Sequence, residues 1–314
     1  MRTGHRFFTW LLAIAASGTL LASTEVGHPP PADYAWQLAV APRQGNWPRW
    51  NLPIPAYDGR LWAFQDERWV WSSSDGIDWE RAKSNAAWGE RYLSAVAYFR
   101  GKLWVLGGRV GPAISTDYRN DVWVSENGTN WELRVPKAPW SPRAGHTAIV
   151  FDNKLWIFGG TASAATDDVW YTEDGAHWTL AAPSVGWSHV FHRTVFVFRD
   201  RLWVVGFHRG DDVWHSADGV RWTRATQSAG WGAEHFKSAR VFDGRIWASG
   251  GANDRGTFHN DVWSSADGVA WERVSRRAPW SPRLTNYSVV FHNRLWVYGG
   301  KNGADDVWYL APAE

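Results

Sequence analysis

Apolar and polar residues alternate along this chain in short runs, and the runs recur. A β-branched, apolar stretch such as Thr147–Phe151 (TAIVF) meets a two-residue turn, and a second stretch built on a Leu-Trp pair follows. Alternation with period two over four to eight residues, bounded by Gly, Asn and Asp, predicts strands. The pairs are Leu61-Trp62, Leu103-Trp104, Leu155-Trp156, Leu202-Trp203, Ile246-Trp247 and Leu295-Trp296, with Trp spacings of 42, 52, 47, 44 and 49. Before them stand Asp58-Gly59, Arg100-Gly101, Asp152-Asn153, Arg199-Asp200, Asp243-Gly244 and His292-Asn293. Most of these dipeptides suit a tight hairpin.

Tryptophan keeps the same beat. A first set, Trp88, Trp140, Trp187, Trp231 and Trp280, lies fifteen residues before the Leu or Ile, and Trp47 lies fourteen before Leu61. A third, mostly in Asp-Val-Trp, is Trp71, Trp123, Trp170, Trp214, Trp263 and Trp308. A fourth, eight residues later and just past an Asp-Gly or Asn-Gly turn, is Trp79, Trp131, Trp178, Trp222 and Trp271. Each repeat therefore predicts four antiparallel strands at a period near 47, the pattern of a propeller blade. The last repeat stops at Val307-Trp308-Tyr309-Leu310 without a fourth strand, and Trp36-Gln37-Leu38-Ala39-Val40 supplies a spare one near the start. Because exposed half-sheets are avoided, the two halves are expected to pair. The predicted fold is an all-β, six-bladed β-propeller of four-stranded antiparallel blades over 34–314, closed by the N-terminal strand pairing into the C-terminal blade. Buried indoles supply much of its core, each worth a gross gain of roughly 4–6 kcal/mol. The Asp of the Asp-Val-Trp segments (Asp121, Asp168, Asp212, Asp261, Asp306) are candidates to accept indole N–H groups.

Composition narrows the class. The 314 residues include 27 Trp, one Met and no Cys, with 45% hydrophobic and 20% charged. Absence of Cys excludes disulfides, thiolate metal sites and a Cys nucleophile. Residues 1–22 read as a signal peptide: Arg2 and Arg6, then the apolar run FFTWLLAIAASGTLLA, then a cut near Ala22. Its 16 apolar residues fall short of the roughly 20 that span a bilayer, so no stable membrane insertion is expected after cleavage. Residues 23–33, with Pro29-Pro30-Pro31, read as an extended linker. Cleavage leaves 31 basic against 31 acidic residues, a balance that argues against nucleic acid as a partner. Export without Cys points to a bacterial periplasmic or secreted protein, expected as a monomer.

The repeats resemble the Kelch family of propellers. The resemblance rests on Trp140-Ser141-Pro142-Arg143-Ala144-Gly145-His146 opening a first strand, on Gly107-Gly108, Gly159-Gly160, Gly250-Gly251 and Gly299-Gly300, and on the Trp that follows each pair. Blade one departs (Ala63-Phe64-Gln65), as does blade four (Gly206-Phe207). It implies a fold rather than a function, since such propellers include enzymes, adaptors and lectin-like binders. Turns such as Ser216 to Trp222 (SADGVRW) are similar to the Asp-box turns of sialidases, one residue shorter. The Kelch-type galactose oxidase site needs a Cys, and this chain has none.

In Kelch domains the Arg that opens the innermost strand often lines the channel mouth. Here the matching positions are Arg91, Arg143, Val190, Glu234 and Arg283, with Arg49-Trp50 in blade one. A ring of Arg could bind a carboxylate or phosphate; it could equally be spent on carboxylates within the ring of blades. Three positions on, Ser94, His146, Arg193, Lys237 and Asn286 would form a second polar ring. Candidate ligand-binding residues are thus Arg91, Arg143, Arg283, His146, Arg193, Lys237 and Trp50, with Glu234 as a candidate acid/base or as a counter-ion. His189 and His192 lack an evident third metal ligand, and no cofactor is expected. The insertions Arg109–Asn120 and Ala252–Asn260 are expected as loops on one rim. Two functions fit: a binding module for an acidic small molecule, glycan or peptide, or a carbohydrate-active enzyme resembling the periplasmic Kelch-type sialic acid mutarotases. The first ring holds a single acid where most glycosidic chemistry pairs two, which favours binding.

Overall fold

The computed structural model describes residues 34–42, 53–65, 69–83, 86–111, 115–162, 166–186, 194–205, 211–253, 255–283, 287–300 and 304–312. Among them lie six four-stranded antiparallel sheets, one per predicted repeat, and a two-stranded ribbon. Blade three is representative, with strands Thr147–Phe151, Lys154–Phe158, Val169–Thr172 and Trp178–Ala182 in that order. The six first strands, Pro53–Tyr57, Ala95–Phe99, Thr147–Phe151, Thr194–Phe198, Ser238–Phe242 and Tyr287–Phe291, each contact the next and form a ring around the axis. The hairpins leaving them need positive φ at both turn residues. Even Arg100 (49°), Arg199 (47°) and His292 (48°) adopt it, so pairing of the flanking strands overrides the residues' own preference.

The ring closes as expected. Tyr34–Val40 pairs antiparallel with Ala304–Pro312, giving blade six the order fourth, third, second, first strand from two ends of the chain. The register copies that of the other blades. Leu38 faces Trp308 and Trp36 faces Leu310, as Leu180 faces Trp170 and Trp178 faces Thr172. The bulge beside the third-strand Trp is reproduced too, with Val40 opposite Val307 as Ala182 is opposite Val169. Trp36 packs edge-on against Trp280, with ring centroids 4.4 Å apart, the contact Trp131 makes with Trp88 and Trp271 with Trp231. It is the sixth member of the fourth Trp set.

Blade is locked to blade at the second-strand Trp. All six donate Nε1–H to the carbonyl five residues earlier, from Trp62 to Tyr57 through Trp296 to Phe291. The outer ring of each indole then lies against the turn between third and fourth strands of the next blade. A Cβ on Gly128 would fall 2.1 Å from Trp62, and one on Gly175 2.0 Å from Trp104. Ser or Thr shapes the turn: Thr172 Oγ1 accepts from Gly175 N, and Asp174 Oδ1 accepts from Ala176 N and His177 N. At the closure no such hairpin exists, because the third and fourth strands come from opposite ends. There Tyr34 lies edge-on to Trp247 at 5.4 Å and hydrogen-bonds Asp243. Tyr298 makes the neighbouring contact, donating to Gly76 O at 2.9 Å.

Two expectations change in detail. The insertion Arg109–Asn120 is largely ribbon, since strands Lys102–Val110 and Asp117–Ser125 stay paired out to Val110 and Asp117. Ala252–Asn253 likewise pairs with Glu234–His235 instead of forming open loop. Trp47, Trp50, Trp187 and the leader lie outside the described residues.

Two outcomes are expected. Deleting residues 34–40 will expose an unpaired strand and uncover Trp280 and Trp247, lowering the melting temperature markedly; an unchanged melting curve would refute the closure. Gly175→Ala will cost about 1–3 kcal/mol through the clash in addition to backbone strain. Gly186→Ala, with similar φ (74° against 79°) but nothing within 4 Å, will show the strain alone. Equal losses in denaturant titrations would mean that the indole contact is not tight.

Candidate functional site

The Arg expected at the mouth are buried. Arg91, Arg143 and Arg283 are 3%, 0% and 0% exposed, and each guanidinium forks onto the carboxylate of its own blade. Arg143 Nη1 and Nη2 donate to Asp168 Oδ1 and Oδ2 at 2.6 and 2.9 Å; Arg91 does the same to Asp121, and Arg283 to Asp306. Nη1 of each also reaches the carbonyl of the first Gly of the Gly-Gly pair, Gly107, Gly159 or Gly299. The same aspartate accepts the indole N–H two residues on: Trp123 to Asp121 at 2.8 Å, Trp170 to Asp168 at 2.8 Å, Trp308 to Asp306 at 2.9 Å. The expected role of the Asp as indole acceptors is therefore what the structure shows. The Arg belong to this brace and present no donor to a ligand, which corrects their placement at an open mouth. Burial alone would raise the Asp168 carboxyl, but the Arg143 hydrogen bonds and charge, with the Trp170 N–H, hold it below its ordinary value.

His146 is corrected in the same way. It is 6% exposed, packed beside Trp140, and neither ring nitrogen has a hydrogen-bond partner. Burial first, then the Arg143 charge, depresses it to about 3 against the opposing pull of Asp168, so it is a neutral core residue at ordinary pH. Arg193, Trp50, His189, His192 and Asn286 lie outside the described residues. Among the described residues no three His, Asp or Glu side chains cluster as metal ligands.

Blade five wires the brace differently. Glu234 stands where the Arg would be, and Lys237, three residues on, supplies the cation. Its Nζ donates to Gly250 O at 2.9 Å and Asp261 Oδ1 at 3.1 Å, the partners that Arg Nη1 takes elsewhere. Trp263 completes the set on Asp261 Oδ2 at 2.6 Å. Lys237 is 1% exposed, so it too is structural and not a ligand contact. What the exchange releases is Glu234. Its Oε2 lies 3.0 Å from Lys237 Nζ and its Oε1 3.6 Å from His259 Nδ1. Burial pushes its carboxyl up, the Lys237 charge pulls it down, the Asp261 charge pushes it up again, and the net shift is upward.

Above Glu234 opens a pocket of about 520 Å³, within the usual size range of small-ligand sites. Three connections at one end of the blades bound it: the entry to blade five (Gly230, Trp231, Glu234), its second-to-third-strand loop (Phe258 to Asp261), and the exit towards blade six (Arg276, Arg277, Pro282). Trp263 and Arg273 complete the wall. Arg273, Arg276 and Arg277 are exposed, whereas His259 Nε2 is buried without a hydrogen-bond partner. Two buried indoles, three exposed cations, one of which (Arg273) lies over the Trp263 ring, and a nearly buried acid thus meet in one concavity. Sequence reasoning found Glu234 but not the others. The signal was present: SRRAPWSPR (275–283) repeats VPKAPWSPR (135–143) from Ala278 onwards and departs from it at Ser275 and the Arg pair, and His259-Asn260-Asp261 repeats Arg119-Asn120-Asp121 except at His. Asn260 and Asn120 do identical work, each donating to two carbonyls of the following segment, Ala278 and Trp280 or Ala138 and Trp140.

Comparison with known proteins agrees with this architecture. Residues 142–171 match the Kelch motif. Over 107 residues the chain is 30% identical to tip elongation aberrant protein 1 of Schizosaccharomyces pombe, covering 32% of this chain and 9% of that protein. Over 149 residues it is 26% identical to leucine-zipper-like transcriptional regulator 1 of Homo sapiens, covering 38% and 17%. The chain thus spans well under a fifth of the length of these curated relatives. The solved structure of YjhT superposes with a TM-score of 0.68 at 15% identity, covering 86% of this chain and 95% of that one, a likeness of fold.

Arg143→Ala is expected to strand Asp168 in a largely buried site and cost about 3–5 kcal/mol, read as lost stability. Because Asp168 is held below its unfolded value near 3.8, its contribution is present above that pH and is lost as pH falls through the lower folded value. Asp168→Asn should therefore be less stable at neutral pH and lose less on acidification than the parent; parallel acid-unfolding curves would contradict the brace.

Proposed function

From a chain that is a Kelch-type β-propeller, with packed blades and variable loops, we propose an exported binding module that takes an anionic ligand in the blade-five pocket. The observation that carries this reading is the convergence of Arg273, Arg276 and Arg277 with Trp231 and Trp263 around one pocket of small-molecule size. The blade pattern does not demand the Arg276-Arg277 pair, since blade two has Pro136-Lys137 there. The guanidinium groups suit carboxylate or phosphate, and the buried Trp231 and Trp263 give the pocket an apolar floor for the rest of the ligand. An acidic glycan, sugar or peptide fits both. Export, read from residues 1–22 and open to N-terminal sequencing of the mature protein, belongs to the same proposal.

A catalytic reading, a carbohydrate-active enzyme like the Kelch-type sialic acid mutarotases, is favoured by Glu234 itself. A carboxyl raised by burial, with His259 beside it, is suited to hold and return a proton. Against it, Lys237 engages both nearby acids, Glu234 and Asp261, and the lone Glu has no free acidic partner.

Calorimetric screening of acidic sugars and peptides tests the proposal. A hit should weaken with salt and lose about ten- to a hundredfold in affinity in the Arg276→Ala/Arg277→Ala double variant, the range for charge-assisted hydrogen bonds. A hit indifferent to both substitutions places binding elsewhere. Glu234→Gln separates the two readings: loss of anomer exchange, followed by NMR, with binding retained would make the protein an enzyme.

A further inference from the structure

Arg240 is a cation that the brace does not use. It lies on the innermost strand of blade five, Ser238–Phe242, directly opposite Trp247. The matching residues, opposite the second-strand Trp of blades two, three, four and six, are Ala97, Ile149, Phe196 and Val289. A long charged side chain therefore replaces a core residue at this one place near the axis.

Its direction follows from its neighbours. Ala239 and Val241 pack into the cluster shared with blade four. Side chains alternate along a strand, so Ser238, Arg240 and Phe242 face blade six. Phe242 joins the cluster formed with blade six, and Ser238 Oγ lies 2.6 Å from Ser288 Oγ on that blade's innermost strand. The guanidinium thus belongs to the seam between the inner strands of blades five and six. The hydrogen bond it makes is from Nη1 to Ala239 O at 2.7 Å. Among the described residues no carboxylate lies within 4.0 Å of it, in contrast to Arg91, Arg143 and Arg283. Burial lowers its pKa to about 10, so it remains charged at neutral pH.

A guanidinium has five N–H donors, and here one bond to a neutral carbonyl is what the protein offers them. Arg240 is half-buried, and holding a charge there without a counter-charge is costly. The serine pair adds a donor: one hydroxyl hydrogen links the two oxygens, and the second hydroxyl hydrogen is not needed for that bond and can turn to another acceptor. Fixed positive charge and a spare hydroxyl donor on one strand face are the chemistry of an anion site. We propose that the seam between the inner strands of blades five and six holds a small monovalent anion, of halide or formate size, against Arg240 with the Ser238–Ser288 hydroxyls as further donors. The site is separate from the blade-five pocket, whose lining does not include Arg240, and it stands whether or not that pocket binds a ligand.

Bromide is the probe, on the full-length mature protein. An anion that binds only the folded state at ten times its dissociation constant multiplies the folded-to-unfolded ratio by about eleven. Thermal unfolding should therefore shift upwards with bromide and level off, relative to gluconate at equal ionic strength. Arg240→Met, which fits the volume and removes the charge, should fold, match or exceed the parent in gluconate, and lose the bromide-specific shift. Crystals soaked in bromide should give an anomalous peak at the Arg240 guanidinium, absent in Arg240→Met. An unchanged bromide response in Arg240→Met, or a peak absent from that position in the parent, overturns the proposal. If Arg240→Met fails to fold, Ser288→Ala, which removes the spare hydroxyl, must weaken the bromide response, and an undiminished response overturns the proposal equally.

Discussion

Everything in this ring depends on one contact repeated around it: an indole face that another blade must cover with a residue lacking a side chain. A four-stranded sheet buries little alone, and the second-strand Trp leaves an aromatic surface that water would meet. The turn of the next blade covers it only because Gly128, Gly175 and their counterparts permit an approach that a Cβ would block. Coverage always comes from the following blade, so no blade is complete without its neighbour. Such a requirement has no solution in an open row and has one in a circle. Where the circle is joined and the turn is missing, Tyr34 covers Trp247 instead.

The Arg–Asp–Trp brace does the complementary work within blades two, three and six. One carboxylate satisfies an indole, fixes a guanidinium, and so ties the start of the inner strand to the third strand. It is expensive to break and contributes modestly compared with an apolar substitute, as buried ion pairs generally do. Its value lies in geometry, since the same Arg backbone joins neighbouring blades: Arg143 N donates to Arg119 O, and Arg143 O accepts from Gly108 N. Blade five shows how such a brace can be altered without loss. Moving the cation three residues along, to Lys237, keeps the Asp261 contacts and leaves Glu234 beneath a pocket.

The fold was legible because it is written in repetition. Trp spacing, Asp-Gly turns and the unmatched strand around Trp36 determine blade number and closure, and none requires knowledge of contacts. The site was legible only in part. Reading Arg91, Arg143 and Arg283 as ring-lining residues assumed that a repeated charge faces outwards, whereas the aspartate two residues before the third-strand Trp of the same blade was the evident partner. That pairing spans about 25 residues of sequence, such as Arg143 to Asp168, and no local pattern joins them. The pocket residues were hidden for the opposite reason. Arg276, Arg277 and His259 break an otherwise close match between segments, and their significance depends on three loops meeting in space. Irregularity was the right signal, read at the wrong positions.

The way the ring is joined also sets how it responds to force. Tyr34 is opposite Pro312, so the two ends of the described chain leave side by side from the outer edge of one blade. Tension between them would peel that antiparallel pair from its open end, loading its hydrogen bonds one after another rather than together. The other five blades would carry no load until the zipper had opened. A molecule whose heat stability draws on the whole circle would then have a tensile strength set by one seam, and anything tethered to either end would pull on that seam first.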